Sequence, residues 1–286
     1  MAIRANVESK FKSRRSRCPQ PSRLITENCS LITDHFQSLI PNMLYHTDSQ
    51  STTIPLILLH GAGGSHLHWS PQLRHAKDVR VIAVDLPGHG KTGGAGCASL
   101  EEYGGWVVGL LDGLGIEKAI IGGHSMGGGI AQVLALDYAE RVAGLVLVGT
   151  GAKLRVAQQI LDGVKNNFAA TVEMIVEWSF APTAPAQVKQ LARQRMMETN
   201  PDVLWNDFNA CNNFDVVVRV NQIKVPTLIL VGSADKMTPE KFSHSLATQI
   251  AGSRLKVFAE AGHMLTLERM EEVTGEIRSW MLEIGS

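Results

Sequence analysis

From residue 55 onward, short apolar runs recur along the chain. Residues 55–60 (Pro-Leu-Ile-Leu-Leu-His), 79–85 (Val-Arg-Val-Ile-Ala-Val-Asp), 119–123 (Ala-Ile-Ile-Gly-Gly), 144–150 (Gly-Leu-Val-Leu-Val-Gly-Thr), 226–232 (Pro-Thr-Leu-Ile-Leu-Val-Gly) and 255–258 (Leu-Lys-Val-Phe) form the series. Runs that are apolar at consecutive positions predict strands buried on both faces, which need helices above and below them. Stretches of helical period lie between them. Ser99 is placed to cap a helix with Glu102 three residues later, and Tyr103, Trp106, Val107 and Leu110 carry the apolar face to a stop near Gly113 or Gly115. Further helices are predicted over residues 131–137, 239–251 and 267–284, and residues 30–33 and 43–46 read as edge strands. Alternating strands and helices imply an α/β fold with a mostly parallel central sheet flanked by helices.

The alternation breaks off once. Residues 153–221 are helical in pattern throughout, with Val164, Phe168, Val172, Met174, Ile175, Trp178, Leu191, Met196, Leu204, Trp205 and Phe208 at apolar positions and Pro182, Pro185 and Pro201 as breaks. This stretch reads as an inserted cap of three or four helices. The core domain is then expected to comprise residues 30–152 and 222–286. Residues 1–29 are rich in Arg, Lys and Ser, with only Glu8 and Glu27 as acids, and read as a disordered extension outside the core.

Charge narrows the partners. Lys+Arg and Asp+Glu both total 27 in 286 residues, so no global field favours nucleic acid or an anionic membrane, and an uncharged small molecule is the better substrate class. Cys18, Cys29, Cys97 and Cys211 are scattered without C-x-x-C spacing, which points to neither a zinc site nor a redox pair and makes a reducing, cytoplasmic setting the default. No apolar run approaches the ~20 residues of a membrane helix, and the N-terminus lacks an apolar segment followed by a cleavage site. Nothing in the pattern fixes an oligomeric state.

The chemistry concentrates at Gly123-His124-Ser125-Met126-Gly127, a G-x-S-x-G pattern between a predicted strand and a predicted helix. A serine pinched there is lifted clear of the fold, and only glycine fits two positions to either side. The free N–H groups of the helix that follows point back at the same spot. A serine hydroxyl needs a histidine base, and the base needs an acid to hold its tautomer. In a parallel sheet such groups gather at the carboxyl ends of strands. Asp235 follows the strand ending at Val231, and His263 follows the strand ending near Phe258, so the chain order is Ser125, Asp235, His263.

These segments resemble the α/β-hydrolase fold superfamily, in the branch that carries a helical cap and contains carboxylesterases, carbon–carbon bond hydrolases and related lyases. The resemblance extends from about Met43 to the C-terminus. Residues 60–64 (His-Gly-Ala-Gly-Gly) are similar to the family's oxyanion loop and residues 85–90 (Asp-Leu-Pro-Gly-His-Gly) to its D-x-P-G-x-G turn. The resemblance implies a triad of Ser125, Asp235 and His263, and an oxyanion hole formed by the backbone N–H groups of Ala62 and Met126. It also implies that His60 and His124 serve loop packing rather than catalysis. His89 is expected to brace its turn, and His66, His124, Trp178 and Met264 to line the substrate pocket. Asp85 belongs to the turn motif, and Asp215 stands as the alternative acid. His66 and His68 lack the carboxylate that a metal site would want, so no metal is expected, and the two-step acyl transfer needs no cofactor.

The expected activity is hydrolysis of carboxylic esters with small to medium acyl chains. Ser125 argues against haloalkane or epoxide hydrolysis, for which relatives use Asp. Two alternatives stay open. One is carbon–carbon bond hydrolysis or a menaquinone-pathway elimination, whose carboxylate substrates would need Arg155, Arg193 or Arg195 in the pocket. The other is a small-molecule receptor that retains the triad. A perhydrolase side activity is compatible with the same groups.

Overall fold

The computed structural model describes residues 44–284. The expected extension over residues 1–29 and the strand over residues 30–33 lie outside the described residues.

Seven strands form one sheet in the order β1-β3-β2-β4-β5-β6-β7. They are β1 (His46–Asp48), β2 (Leu56–Leu59), β3 (Val81–Val84), β4 (Ala119–His124), β5 (Val142–Val148), β6 (Thr227–Gly232) and β7 (Arg254–Phe258). Among the described residues only β1 runs antiparallel, pairing with β3 at the edge, and every other pairing is parallel. Strand β1 begins three residues later than the segment expected at residues 43–46, because the sheet takes up the chain where His46 pairs with Val84.

The alternation of side chains along each buried strand supplies two cores. Ile57, Leu59, Ile82, Val84, Ile121, Leu145, Leu147 and Ile229 face one side of the sheet. There they pack against α2 (Leu100–Gly113), α3 (Met126–Asp137) and α8 (Glu240–Gln249). Leu56, Leu58, Val81, Ala83, Ile120, Val146, Val148, Leu228 and Leu230 face the other side. They meet α1 (Pro71–Arg74) and α10 (Met270–Ile284) through Leu73, Val273, Ile277 and Trp280. Ser99 accepts the Glu102 N–H at 3.2 Å, which sets the start of α2. The expected helix over residues 267–284 is instead two, α9 (Leu265–Glu268) and α10, with a non-helical backbone at Arg269 between them. Helix α1 has only four residues, too few to show a period in the sequence.

Between β5 and β6 the chain builds α4 (Gln158–Asn166), α5 (Phe168–Ser179), α6 (Ala186–Met197) and α7 (Pro201–Asn213). They share their own core of Ile160, Val164, Val172, Ile175, Leu204 and Phe208, and α6 buries no residue. Among the described residues no helix is long and apolar enough to cross a membrane. Cys211 is a buried free thiol.

Candidate active site

Strand β4 ends at His124 and α3 starts at Met126, which leaves Ser125 alone to reverse the chain. It does so at φ 53° and ψ −113°, a region that costs a non-glycine residue on the order of 1–3 kcal/mol. The surroundings hold it there. Ser125 N–H donates to Val148 C=O at 2.9 Å, and Ser125 C=O accepts from the N–H groups of Gly128 and Gly129 and from the Thr150 hydroxyl. A Cβ on Gly123 would lie 2.0 Å from the Gly127 carbonyl oxygen, and one on Gly127 would lie 2.4 Å from that of Leu59, so the turn admits glycine alone at both positions.

Asp235 leaves the end of β6 and His263 the end of β7, one strand further out. His263 Nδ1 lies 2.8 Å from Asp235 Oδ2, and both side chains are buried. The second carboxylate oxygen accepts the N–H groups of Met237 and Thr238, each at 2.8 Å, and the Thr238 hydroxyl donates to Oδ2 at 2.8 Å. Burial alone would raise the Asp235 pKa. The His263 charge and the His263 and Thr238 hydrogen bonds outweigh it and hold the carboxyl below its ordinary value. With Nδ1 committed to Asp235, Nε2 is the nitrogen left for Ser125. Both residues line the same cavity, and among the described residues their side chains make no hydrogen bond to one another. Such bonds are often long in an empty enzyme site. The N–H groups of Ala62 and Met126 likewise have no acceptor among the described residues.

The surrounding imidazoles have tautomers set by their partners. His60 Nε2 accepts the Leu86 N–H at 3.1 Å, so its proton sits on Nδ1, which donates to Gly61 C=O at 2.8 Å. Burial, and then repulsion from His89, pushes its pKa down to about 4. His124 Nε2 donates to the His263 carbonyl at 2.9 Å, while its Nδ1 is buried without a partner. Burial and the adjacent His263 push His124 down to about 3. A neutral ring therefore lies 4.6 Å from His263, and a proton taken up by His263 meets no second cation there.

A cavity of about 740 Å³ opens over Ser125, and one of about 160 Å³ lies on its other side. Ala62, Ser125, Phe208 and Met237 border both. Of the expected pocket residues, His66, His124 and Met264 line the larger cavity and Trp178 the smaller. His66 is oriented by Asp85, which accepts its N–H at 2.6 Å and faces its Nδ1 at 2.8 Å, so Asp85 is bonded away from His263. The alternative acid Asp215 is exposed and paired with Lys153. Of the three arginines singled out, Arg195 lines the larger cavity, Arg155 lines the smaller, and Arg193 pairs with Glu173. Among the described residues no group of three or more His, Cys, Asp and Glu side chains is arranged to hold a metal.

Two residues of this site escaped the sequence reading. Thr238 had a local signal, since a hydroxyl three positions after a turn aspartate is placed to bond it. Asp207 had none, because a single Asp in an amphipathic helix reads as solvated.

A family model described as alpha/beta hydrolase fold matches residues 54–269. The chain is 29% identical over 258 residues to a 2-hydroxy-6-oxo-6-phenylhexa-2,4-dienoate hydrolase of Comamonas testosteroni, a match covering 82% of this chain and 89% of that relative. It is 27% identical to a pimeloyl-[acyl-carrier protein] methyl ester esterase of Aliivibrio salmonicida, covering 79% of this chain and 91% of the relative. Among solved structures, a thermophilic esterase from Thermogutta terrifontis superposes with a TM-score of 0.78 at 28% identity, covering 85% of this chain and 94% of that one.

Proposed function

The chain belongs to the alpha/beta hydrolase fold family, and from that premise we propose that it is a serine hydrolase cleaving carboxylic esters of small to medium acyl chains. One observation carries the reading: a strained, half-buried Ser125 faces the same cavity as a histidine already oriented by a buried carboxylate. Ser125 Oγ attacks the ester carbonyl while His263 Nε2 takes its proton, and Asp235 stabilises the imidazolium. The vacant N–H groups of Ala62 and Met126 receive the oxyanion, where loss of one donor typically costs ~10²–10³ in rate. His263 then protonates the departing alcohol, water enters, and the same base activates it to release the acid and free Ser125.

The insertion acts in this reading as a cap over the site. Leu154, Ile160, Trp178 and Phe208 give the smaller cavity an apolar wall suited to the acyl chain, and the larger cavity takes the alcohol. Initial rates on p-nitrophenyl esters of increasing acyl length, for the wild type beside Ser125→Ala, test it. Turnover that peaks at a short or medium chain and vanishes in the variant is expected; folded protein inactive on every ester would reject the esterase reading.

Arg195 favours a second reading. Its guanidinium lines the larger cavity without a carboxylate partner among the described residues, bonding only Leu67 C=O at 3.5 Å. A keto-acid substrate of a carbon–carbon bond hydrolase would bring that carboxylate. Turnover of a vinylogous diketo acid that is lost in Arg195→Ala, with none on esters, would select it.

A further inference from the structure

We propose that Asp207, on α7 of the insertion, is a positioning residue that holds the turn over residues 61–64 in the shape that presents the Ala62 N–H to the oxyanion. The inference rests on the roles given to Ser125 and Ala62 above.

Asp207 is fully buried, a placement that costs a carboxylate several kcal/mol unless donors surround it. Three donors do. Oδ1 accepts the Tyr103 hydroxyl at 2.6 Å, while Oδ2 accepts His89 Nε2–H at 2.8 Å and the Gly63 N–H at 2.9 Å. The other ring nitrogen of His89 faces Pro87 C=O at 3.0 Å. Both His89 nitrogens thus meet oxygens that only accept, so the ring carries both protons and is a cation. Burial disfavours that charge, but Asp207 outweighs it and raises the His89 pKa. Asp207 thus meets a donor at each of its three contacts, and the Gly63 N–H is one of them.

That bond falls beside the oxyanion donor. Gly63 follows Ala62 directly and sits at φ +63°, so the Ala62–Gly63 peptide plane is fixed by where its N–H points. The Thr199 hydroxyl, also from the insertion, reaches Gly63 C=O at 3.3 Å. On the core side, Gly61 C=O accepts His60 Nδ1–H and the Gly64 N–H. The turn is thus gripped by the core at Gly61 and by the insertion at Gly63. Tyr103 and His89 would suffice to anchor α7; the third bond goes to the turn whose peptide geometry sets the Ala62 N–H. A misplacement of ~1 Å at such a donor can cost about 10²-fold in rate.

The test compares Asp207→Asn with Tyr103→Phe on p-nitrophenyl butyrate, with 1-butaneboronic acid as a probe that forms a tetrahedral adduct on serine. For Asp207→Asn, kcat should fall ~10–100-fold and the boronic acid inhibition constant rise by a similar factor, with KM within about threefold. Tyr103→Phe removes a different bond to the same carboxylate, so it should lower Tm while keeping kcat and the boronic acid affinity within about threefold. An Asp207→Asn protein that loses Tm but retains wild-type kcat and boronic acid affinity would overturn the proposal. Should that variant not fold, Asp207→Glu keeps a carboxyl group on α7 while displacing the oxygens by one methylene, and the same readouts decide. A wild type that neither turns over p-nitrophenyl butyrate nor binds the boronic acid would instead remove the esterase reading, and this proposal with it.

Discussion

Strands β2, β3, β4 and β6 are buried along their whole length, whereas α6 of the insertion buries no residue and exposes Leu191 at 46% and Met197 at 38%. The difference follows from what each region packs against. The sheet is covered on both faces, so its strand ends are held by two cores at once, and Ser125, Asp235 and His263 all project from those ends. The insertion has a small core of its own, against which Ala62, Met237, Met264 and Leu267 of the site loops pack, and it adds a few polar contacts to the same loops. Asp207 accepts from Gly63, Glu268 accepts from Ala181 and Gly262, and Met264 N–H donates to Ser179 C=O. A rigid scaffold is suited to groups that must stay within a fraction of an ångström, and a lightly held layer to shaping what binds. In the reading proposed above, the sheet carries the reacting groups, and the insertion sets selectivity and steadies the Ala62 turn through Asp207.

The largest expected effect lies on the sheet side. Ser125→Ala and His263→Ala should each lower kcat by on the order of 10⁴–10⁶ with little change in fold, read as single-turnover rates beside circular dichroism. A loss below about tenfold in either would end the division of labour.

On the insertion side, Trp178→Ala should move the preferred acyl chain to longer esters, because Trp178 is the bulkiest side chain lining the smaller cavity. Removing one methylene's worth of pocket contact is worth ~1–3 kcal/mol, so the ratio of kcat/KM between long and short esters should shift about 10–200-fold in favour of the long ones. An unchanged chain-length profile would show that the acyl group lies elsewhere.

The division between the regions also marks what the sequence makes legible. The buried strands appear as uninterrupted apolar runs because both sheet faces are covered, and the elbow at Ser125 is visible because Gly123 and Gly127 are forced by neighbours only two residues away. Asp235 and His263 could be placed from the strands that precede them. Asp207 could not, since its partners Tyr103, His89 and Gly63 are 104, 118 and 144 residues distant. Position along a helix says nothing about such contacts. The break at Arg269, which divides the expected last helix, follows no Gly or Pro and left no sequence mark.

Acid should weaken the fold through the buried imidazoles beside the strand ends. His60 and His124 are buried and neutral, with pKa values pushed from the ordinary 6.5 down to about 4 and about 3. Between those values and 6.5 the unfolded chain binds more protons, so their contribution is fully present above pH 6.5 and is lost as pH falls toward the folded values. His89 works in the opposite sense: its raised pKa contributes stability present below pH 6.5 and lost as pH rises through the folded value. Urea unfolding should show stability dropping by at most about 1.4 kcal/mol per pH unit for each depressed histidine. A urea midpoint that stays constant from neutral pH to about pH 5 would show that these rings are not held neutral.

The smallest effect is expected at the surface. Asp215→Asn breaks an exposed pair with Lys153 that solvent screens, so stability should hardly change and kcat should change by less than about threefold. A large loss of kcat there would move the acid from Asp235 to Asp215.

Covalent labelling by diethyl p-nitrophenyl phosphate, read by intact mass and peptide mapping, identifies the nucleophile itself. One diethylphosphoryl group per chain is expected, located on Ser125, with activity lost in step with labelling and no label in Ser125→Ala. Full ester turnover in an unlabelled protein, or a label on another residue that tracks the loss of activity, would contradict the role given to Ser125.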